Sequence, residues 1–336
     1  MDVSFEYKLS ICMPTYNDAA YISDALESIF DQSTPNIEVV ILDGASSDDT
    51  ETIVKSWMSK YRQIKYIKKG SKGGIDKDMD LSVREASGEY CWLMSSNDVL
   101  EEHSISDILS ELVGKDDVFL CNRLVTDVYL QNPTFEAFFS SDRQATSIDF
   151  TNSNQASAYL ASAYGLGAVF SFMSSIIVRR TSWLSVKTPE KVYGTNYRHV
   201  YIILYLMTRG SRLRLINKPL VTARGGADSF LGAGDIGVIS RYLIDIDGYR
   251  RIIETLELDD DLEKQLKLVM LKQHPWYSWF RVVYRFDKKS DWIDLRESLS
   301  WYGYSGYTQF ILSVAQGSKI LRLLSNIRNY ITKYRD

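Results

Sequence analysis

The sequence is poor in the residues that build disulfide frameworks and zinc sites. Its 336 residues include only three cysteines and three histidines. Cys12, Cys91 and Cys121 lie in or beside apolar runs and show no C-x-x-C spacing. A disulfide framework needs paired cysteines, and a structural zinc site needs four closely spaced Cys or His ligands. We therefore expect neither kind of site.

The chain as a whole has no excess of positive charge. It carries 39 Lys and Arg against 43 Asp and Glu, a formal net charge of −4. Because neutralising many phosphates requires a basic protein, this total argues against nucleic acid as a partner. The two ends differ, however. Residues 1–100 carry 10 basic and 17 acidic side chains, whereas residues 262–336 carry 13 basic and 6 acidic.

The chain also shows no pattern typical of a signal peptide. Asp2 and Glu6 stand where a secretory signal has positive charge before an apolar core, so we expect a cytosolic protein. Residues 155–178 carry no charge and are long enough to cross a membrane. Their first half is rich in Ser, Ala, Tyr and Gly, which favours a loop followed by a buried strand over residues 169–178.

Three common catalytic motifs are missing as well. The first predicted strand is followed by no G-x-G-x-x-G motif, and the chain has neither a G-x-x-x-x-G-K-[ST] loop nor a G-x-S-x-G elbow. Residues 70–74 are glycine-rich but fit neither phosphate-binding spacing. These absences argue against a Rossmann dehydrogenase, a P-loop NTPase and the usual hydrolases.

The first hundred residues do contain alternating strand and helix patterns. Strands are predicted at residues 9–13, 39–42, 64–67 and 90–94, and Pro14 is expected to end the first. Helical spacing of apolar residues follows the first two strands, and a third helix is predicted over residues 78–86. Asn17 or Asp18 is predicted to cap the first helix. This alternation predicts an α/β fold with a mostly parallel sheet and right-handed crossovers.

Residues suited to a nucleotide follow each of these four strands. In a parallel sheet, ligands bind beyond the carboxyl ends of the strands, so the side chains just after each strand share one rim. Tyr16 can stack on a base, Asp43 can accept from a base N–H, and Asp98 suits Mg²⁺ or Mn²⁺ on a diphosphate. Turn or cap roles are the alternative for each position. The predicted nucleotide-binding residues are Pro14, Thr15, Tyr16, Asn17, Asp43, Gly74, Asp76 and Asn97, with Asp98 as the metal ligand.

These motifs, in this order, resemble the GT-A fold glycosyltransferases of family 2. The similar stretches are residues 11–17, 42–50 and 86–98, within a likeness that covers residues 8–125. In that family the positions of Tyr16 and Asp43 hold the base, and the acidic motif after the fourth strand holds ribose and metal. Here Ser95 and Asn97 stand where carboxylates are common, and Asp98 alone keeps the metal position. The resemblance implies a nucleotide-sugar transferase that uses Mg²⁺ or Mn²⁺.

The second half is similar to one subgroup, the abequosyltransferase-like enzymes that add 3,6-dideoxyhexoses during bacterial O-antigen assembly. Its similar stretches are residues 167–178, 194–200, 218–221, 224–230 and 271–276. The resemblance implies a CDP-linked donor and an oligosaccharide acceptor carried on polyprenyl diphosphate. By its own chemistry, Asp43 suits cytosine and uracil equally. Two alternatives stay open: a transferase that uses a UDP- or GDP-sugar for another polysaccharide, and a non-catalytic sugar-nucleotide binding protein.

Glycosyl transfer needs stabilisation of the leaving diphosphate and, if the anomeric centre inverts, a base for the acceptor hydroxyl. Arg224 and a metal at Asp98 would meet the first need. The family places a carboxylate near residues 194–199, where this chain has none. His199, with an ordinary pKa near ~6.5, is the first candidate base, and Asp228 is the second. A structural role for His199 is the alternative, and a retaining reaction would need no such base.

The resemblance also suggests two regions. Residues 1–235 are expected to form a GT-A (Rossmann-like) catalytic domain for the nucleotide sugar and acceptor, and residues 236–336 a mainly helical, basic and aromatic region. Aromatic residues alternate with Arg over residues 274–286, and an apolar stripe over residues 320–331 lies among basic residues. Because a basic amphipathic helix suits an anionic bilayer, we expect peripheral attachment to the cytoplasmic face of the inner membrane. A terminal helix packed on the core is the alternative.

Overall fold

The computed structural model describes residues 6–112, 114, 116–140, 147–226, 235–283 and 289–315. The strands of this part of the chain form a single mixed sheet. They are β1 (Leu9–Thr15), β2 (Ile37–Asp43), β3 (Ile64–Lys68), β4 (Tyr90–Leu93), β5 (Val99–Leu100), β6 (Val118–Thr126), β7 (Thr134–Glu136), β8 (Ser147–Asp149), β9 (Ile176–Arg179) and β10 (Arg212–Arg224).

Helices flank this sheet and make up most of the second half. Those of the first half are α1 (Ile22–Phe30), α2 (Thr50–Met58), α3 (Ile75–Glu85) and α4 (Ser104–Glu111). They are followed by α5 (Ser153–Ser162), α6 (Arg180–Ser185), α7 (Arg198–Met207), α8 (Asp235–Leu256), α9 (Asp260–Gln273), α10 (Phe280–Val283), α11 (Lys289–Trp301) and α12 (Gly306–Ala315).

The sheet runs in the order β3-β2-β1-β4-β9-β6-β10-β5, with β7 beside β6 and β8 beside β10. Strands β3, β2, β1 and β4 are parallel, as are β6 and β10, whereas β9 is antiparallel to both of its neighbours. The predicted α/β class, with a mostly parallel sheet flanked by helices and a mainly helical C-terminal region, is confirmed.

Two local predictions at the start of the chain are wrong. Strand β1 continues through Pro14, which pairs with Leu42, because β4 pairs with β1 only as far as Cys12 and leaves that side of the strand open. Helix α1 has Tyr21 at its N-cap, not Asn17 or Asp18. The Asp18 carboxylate instead accepts from the Thr15 and Ser96 hydroxyls.

The uncharged stretch at residues 155–178 also differs from its prediction. Its first part, predicted as a loop, forms the end of α5 up to Ser162. Short 3₁₀ turns occupy Leu166–Val169 and Met173–Ser175, so the strand begins at Ile176 and not at residue 169. Phe170, between the two turns, has a φ of 71°, which is incompatible with an extended strand. Among the described helices, none is long and apolar enough to cross a membrane.

Apolar side chains cover both faces of the sheet, as the two-residue period of the strands requires. Leu9, Ile11 and Met13 pack on the face that α1 and α4 cover. On the other face, Cys12 and Val40 join an apolar cluster with residues of α3, α5 and α7 to α12. Residues on both sides of position 235 therefore share one core cluster.

Candidate active site

The ends of β1 and β2 form a rim that holds three of the predicted nucleotide residues. Asn17, in a left-handed conformation with φ 57°, donates its N–H to the Ser46 hydroxyl over 2.9 Å, and its Oδ1 accepts from the N–H of Ser47 over 2.8 Å. Asp43 is fully buried and accepts from the Ser46 N–H (2.6 Å) and the Tyr66 hydroxyl (2.5 Å). These bonds fix Asp43 while leaving it further acceptor positions.

The glycine-rich loop between β3 and α3 closes over this rim. The Lys72 ammonium lies 3.8 Å from the centre of the Tyr16 ring. A side chain at Gly73 would collide with the Lys69 ammonium and the Asp78 carboxylate, which pair at 2.6 Å. Gly74, the N-cap residue of α3, has a φ of 84°, a conformation that favours glycine. The rim therefore combines the Tyr16 ring, the buried carboxylates of Asp43 and Asp78, and the ammonium groups of Lys69 and Lys72, of which Lys69 pairs with Asp78.

A cavity of about 350 Å³ lies beside the rim, and Asp98 forms part of its wall. Its Oδ2 accepts from the Ser174 hydroxyl over 2.6 Å, and its Oδ1 accepts from the Arg224 N–H over 3.1 Å. Burial raises the pKa of Asp98 to about 6, although these hydrogen bonds and the neighbouring Arg123 and Arg224 act in the opposite direction. Asp98 is therefore largely ionised at neutral pH.

Arg224 fixes the turn that carries Asp98. Its Nε donates to the Asn97 carbonyl over 2.9 Å, its Nη1 to the Val128 carbonyl over 2.8 Å, and its Nη2 to the Asp24 carboxylate over 2.7 Å. Only 4% of its side chain is exposed. Arg224, the residue predicted to stabilise the leaving diphosphate, thus lies in the cavity wall, and its guanidinium donates hydrogen bonds to three groups of the protein.

His199, the first candidate base, lines the same cavity from the first turn of α7. Its Nε2 lies 3.0 Å from the Phe170 carbonyl oxygen. Because a carbonyl only accepts, Nε2 carries the proton and Nδ1 is the basic nitrogen. Burial, with a smaller contribution from the positive charge of Arg241, lowers the pKa of His199 to about 4, although the hydrogen bond to Phe170 acts in the opposite direction. The imidazole is therefore neutral at pH 7.

The predicted residues thus separate into groups. Tyr16, Asn17 and Asp43 mark the rim, and the cavity wall contains Asn97, Asp98, His199 and Arg224. Pro14 and Thr15 contribute backbone carbonyls that accept from Ser96 (3.4 Å) and Gly44 (2.9 Å). The Asp76 carboxylate points to the start of α7, where it accepts hydrogen bonds from three backbone N–H groups. Asp228 lies outside the described residues.

The structure also adds cavity residues that the sequence prediction missed. These are Arg123 on β6, Ser174, Gly225 and Gly226 after β10, and Arg241 on α8. A side chain at Gly225 would lie 2.2 Å from the Thr126 carbonyl oxygen, so only glycine fits there. Among the described lining residues, three are arginines and Asp98 is the one carboxylate. Each arginine also pairs with a carboxylate outside the lining, so an anionic ligand would bind here as an additional partner of these guanidinium groups.

The residues at Asp98 fit one part of a divalent metal site. Within the described ranges, no group of three or more His, Cys, Asp or Glu side chains is placed to hold a metal. Each Asp98 oxygen accepts one hydrogen bond, and an ionised carboxylate has about four acceptor positions in all. Asp98 is therefore able to supply a ligand to Mg²⁺ or Mn²⁺ only if a diphosphate and water supply the rest.

Comparison with known proteins places this geometry in context. The family model "Glycosyl transferase family 2" matches residues 10–162. Abequosyltransferase RfbV of Salmonella typhimurium strain LT2 is 31% identical over 327 residues, which cover 95% of this chain and 96% of that protein.

Two solved structures share the fold. TarS 1–349 of S. aureus in complex with UDP matches with a TM-score of 0.62 at 18% identity, over 88% of this chain and 80% of that chain. The mannosyltransferase PcManGT of Pyrobaculum calidifontis, in complex with GDP-Man and Mn²⁺, has a TM-score of 0.57 at 15% identity, over 98% and 88%. At these identities the likeness concerns the fold alone.

Proposed function

Because the chain belongs to glycosyl transferase family 2, we propose that it transfers a 3,6-dideoxyhexose from a CDP-linked donor to a lipid-linked oligosaccharide. The product would be an O-antigen or a related surface polysaccharide. The observation that carries this proposal is the 31% identity to an abequosyltransferase over 95% of the chain. Abequose is itself a 3,6-dideoxyhexose. A UDP- or GDP-sugar donor is the first alternative.

The rim is the proposed nucleotide site. Tyr16 would stack on the base and Asp43 would accept from the cytosine amine, with Pro14, Thr15, Asn17, Gly74 and Asn97 around the nucleoside. Lys72, above the Tyr16 ring, adds positive charge where the nucleotide would enter. Because the cavity lies beside the rim, a nucleotide bound at the rim would place its diphosphate and sugar in the arginine-lined cavity.

The cavity is the proposed site of transfer. Asp98 would hold Mg²⁺ or Mn²⁺ together with the diphosphate, and such a cation neutralises charge on the leaving group. Arg123, Arg224 and Arg241 would place guanidinium groups along the cavity wall in either case, although each also pairs with a carboxylate, Glu136, Asp24 and Asp245 respectively. This favours departure of a nucleoside diphosphate, since preorganised positive groups stabilise the charge that develops in the transition state.

His199 is the proposed base of an inverting reaction. Its Nδ1 is unprotonated at neutral pH, so it is able to accept the proton of an acceptor hydroxyl. The lowered pKa also makes it a weak base, which keeps Asp228 as the second candidate. For His199→Ala we expect a large fall in kcat with a modest change in the donor KM. An unchanged kcat would mean either that Asp228 is the base or that the reaction retains the anomeric configuration. The anomer of the product distinguishes these two explanations.

Calorimetry with CDP, UDP and GDP in the presence of Mn²⁺ tests the donor. We expect CDP to bind most tightly, and Asp98→Ala to lose the Mn²⁺ dependence and all transfer while its thermal unfolding is cooperative as in the wild type. Full activity of Asp98→Ala would contradict the metal assignment. Tighter UDP or GDP binding would favour the first alternative, and binding without transfer to any lipid-linked acceptor would identify a sugar-nucleotide binding protein.

The C-terminal region, residues 236–336, is the proposed membrane-facing part beside a catalytic domain at residues 1–235. Helix α12 exposes three apolar side chains, since Tyr307, Phe310 and Val314 are 75%, 65% and 71% exposed, while Leu312 is buried in the core. The basic and apolar stripe at residues 316–336 lies outside the described residues. A lipid-linked acceptor would make attachment to the cytoplasmic face of the inner membrane useful, because it brings the enzyme to its substrate.

A further inference from the structure

The Asp76 carboxylate caps a helix that lies far from it in the chain. Asp76 is 7% exposed and stands in the first turn of α3, directly after the glycine-rich loop. Its Oδ2 accepts from the N–H groups of Gly194 (2.8 Å) and Asn196 (3.1 Å), and its Oδ1 accepts from Arg198 (3.0 Å). The N-cap residue of α7 itself makes no side-chain cap. Asp76 therefore does what a local N-cap does elsewhere.

A second carboxylate of α3 strengthens the same junction. Asp80, one turn after Asp76, pairs with the Arg198 guanidinium over 2.7 Å, and the Arg198 side chain is only 2% exposed. Asp80 also accepts from the Trp183 indole N–H over 2.9 Å. A buried pair of this kind is strongly disrupted when one partner is removed. The start of α7 is thus held by two acidic side chains of one helix.

The segment that Asp76 holds is conformationally demanding. Gly194 has a φ of 79° and Asn196 a φ of 63°, so two of its three residues before Tyr197 are left-handed. Asparagine tolerates this conformation better than other non-glycine residues, but contacts from its surroundings are still needed to enforce it over the extended and helical alternatives. The hydrogen bonds to Asp76 supply that enforcement and place negative charge at the positive end of α7.

This junction lies between the two halves of the site. Asn196, Tyr197 and His199 line the cavity from α7 and the residues before it, and Ile75 lines it from the first position of α3. The glycine-rich loop that ends at Gly74 lies over Tyr16. Asp76 is therefore bonded to one side of the cavity and covalently continuous with the loop over the nucleotide rim.

We propose that Asp76 is a positioning residue, which fixes the start of α7, and with it Asn196 and His199, relative to the nucleotide loop. This inference rests on the proposed function, because it assigns the rim to the donor and the α7 side to the reacting groups. Asp76 is predicted from the sequence to contact the nucleotide, and we assign it this positioning role instead, because its carboxylate already accepts hydrogen bonds from three backbone N–H groups.

The test compares Asp76→Ala and the milder Asp76→Asn with a matched control, Asp259→Ala. Asp259 caps α9 by accepting the Leu262 N–H over 2.9 Å, so the control also removes a capping carboxylate. Three quantities are measured in the full chain: kcat at saturating donor, the Kd of CDP, and amide hydrogen exchange of residues 194–198. Thermal unfolding confirms that each variant is folded.

We expect kcat to fall roughly 100-fold in Asp76→Ala and about 10-fold in Asp76→Asn, because small displacements of reacting groups cost rates of this order. The Kd of CDP should change less than about twofold, and exchange at residues 194–198 should accelerate. Asp259→Ala should lose thermal stability but keep its kcat.

Loss of CDP affinity with an intact kcat would overturn the inference and return Asp76 to the nucleotide site. An unchanged kcat together with unchanged exchange would overturn it as well. If the wild type transfers no sugar from any donor, the proposed function fails instead. In that case the exchange of residues 194–198 in Asp76→Ala still decides whether α3 holds α7: faster exchange supports the junction, and equal exchange refutes it.

Discussion

At the scale of single residues, burial decides which groups of the cavity carry charge at neutral pH. It raises the pKa of Asp98 to about 6 and lowers that of His199 to about 4. Both shifts have the same cause, since a buried site disfavours the charged form of either group. At pH 7 the wall therefore presents an ionised Asp98, suited to a cation, beside a neutral His199, suited to accepting a proton.

The low pKa of His199 makes stability depend on pH. Between the unfolded value near ~6.5 and the folded value of about 4, the unfolded chain binds more protons than the native one, so the free energy of unfolding falls as the pH falls. Between pH 7 and pH 5, His199 alone should lower the free energy of unfolding by about 2 kcal/mol. We expect His199→Gln to lose correspondingly less stability between pH 7 and pH 5 in urea unfolding. Equal losses in both proteins would contradict the shift.

Arg241 is the arginine of the cavity that we expect to contact the diphosphate most directly. Its side chain is 39% exposed, against 4% for Arg224, and its Nε lies 3.4 Å from the Asp245 carboxylate on the next turn of α8. The other oxygen of the Asp245 carboxylate lies 2.9 Å from His274 Nε2, and this contact helps to hold Asp245 in position beside Arg241.

Arg241→Gln should therefore bind CDP roughly 10-fold to 100-fold more weakly, because it loses charged hydrogen bonds, while cytidine binding stays unchanged. Arg241→Lys should fall between, since it keeps charge but loses the planar fork. Arg250→Gln is the matched control on the same helix, where Arg250 pairs with Glu254 and Glu297. Calorimetry with both ligands gives the comparison, and an equal loss for cytidine and CDP would argue against a diphosphate contact.

At the scale of elements, the alternation of strands and helices up to β4 could be predicted, whereas β9 could be predicted only in part and β10 could not. The alternation up to β4 depends on local patterns, namely apolar runs and helical spacing, and the structure follows it. Strands β9 and β10 depend on partners far away in the chain. β9 pairs antiparallel with β4, and β10 pairs with β6 over shifts in register around Pro219. No local pattern encodes such pairings.

The same difference applies to the site. Tyr16 and Asp43 lie at the ends of β1 and β2, and Asp98 lies in the turn after β4, so their common edge could be inferred from the order of elements alone. Arg123 and Arg241 come from the middle of β6 and of a long helix, and their arrival at one cavity depends on how distant elements pack. The capping role of Asp76 is likewise not legible in sequence, since its partners are about 120 residues away.

Glu38 is the polar residue on which the junction of β1, β2 and the turn before β4 depends. It is 4% exposed and accepts from the Ser10 hydroxyl (2.6 Å) and from the N–H groups of Ser87 (2.6 Å) and Gly88 (3.2 Å). Glu38→Ala leaves the Ser10 hydroxyl and the Ser87 N–H without this acceptor, while the Gly88 N–H keeps the Ser10 oxygen, so we expect a loss of roughly 2–4 kcal/mol. Glu85→Ala, which removes only an exposed pair with Lys65, should cost less than about 1 kcal/mol. Urea unfolding of both variants measures the difference, and equal costs would refute it.

At the scale of the whole molecule, charge is distributed unevenly. Residues 1–100 carry 10 basic and 17 acidic side chains, and residues 262–336 carry 13 basic and 6 acidic. The acidic end contains the rim and Asp98. The basic end contains the exposed apolar face of α12, formed by Tyr307, Phe310 and Val314. An anionic bilayer would attract the second end and repel the first.

Sedimentation with anionic vesicles tests this polarity. We expect the full chain to sediment with phosphatidylglycerol vesicles at low salt, and less so with neutral vesicles or at high salt, because screening weakens the attraction. A chain shortened to residues 1–315 should bind the vesicles more weakly. The double substitution Tyr307→Ser and Phe310→Ser in that shortened chain should weaken its vesicle binding further. Equal sedimentation of all forms with both vesicle types would contradict a membrane-facing end.

The strand order of the sheet has a consequence for how the protein is made. The rim strands β1 to β4 are complete once residue 93 has been synthesised, but β6 and β5 wait for their partner β10, which ends at Arg224. At about 5–20 residues per second, that interval is on the order of ten seconds. A nascent chain therefore has the strands of the rim before those of the cavity wall, and in between the β6 edge that pairs with β10 lacks its partner.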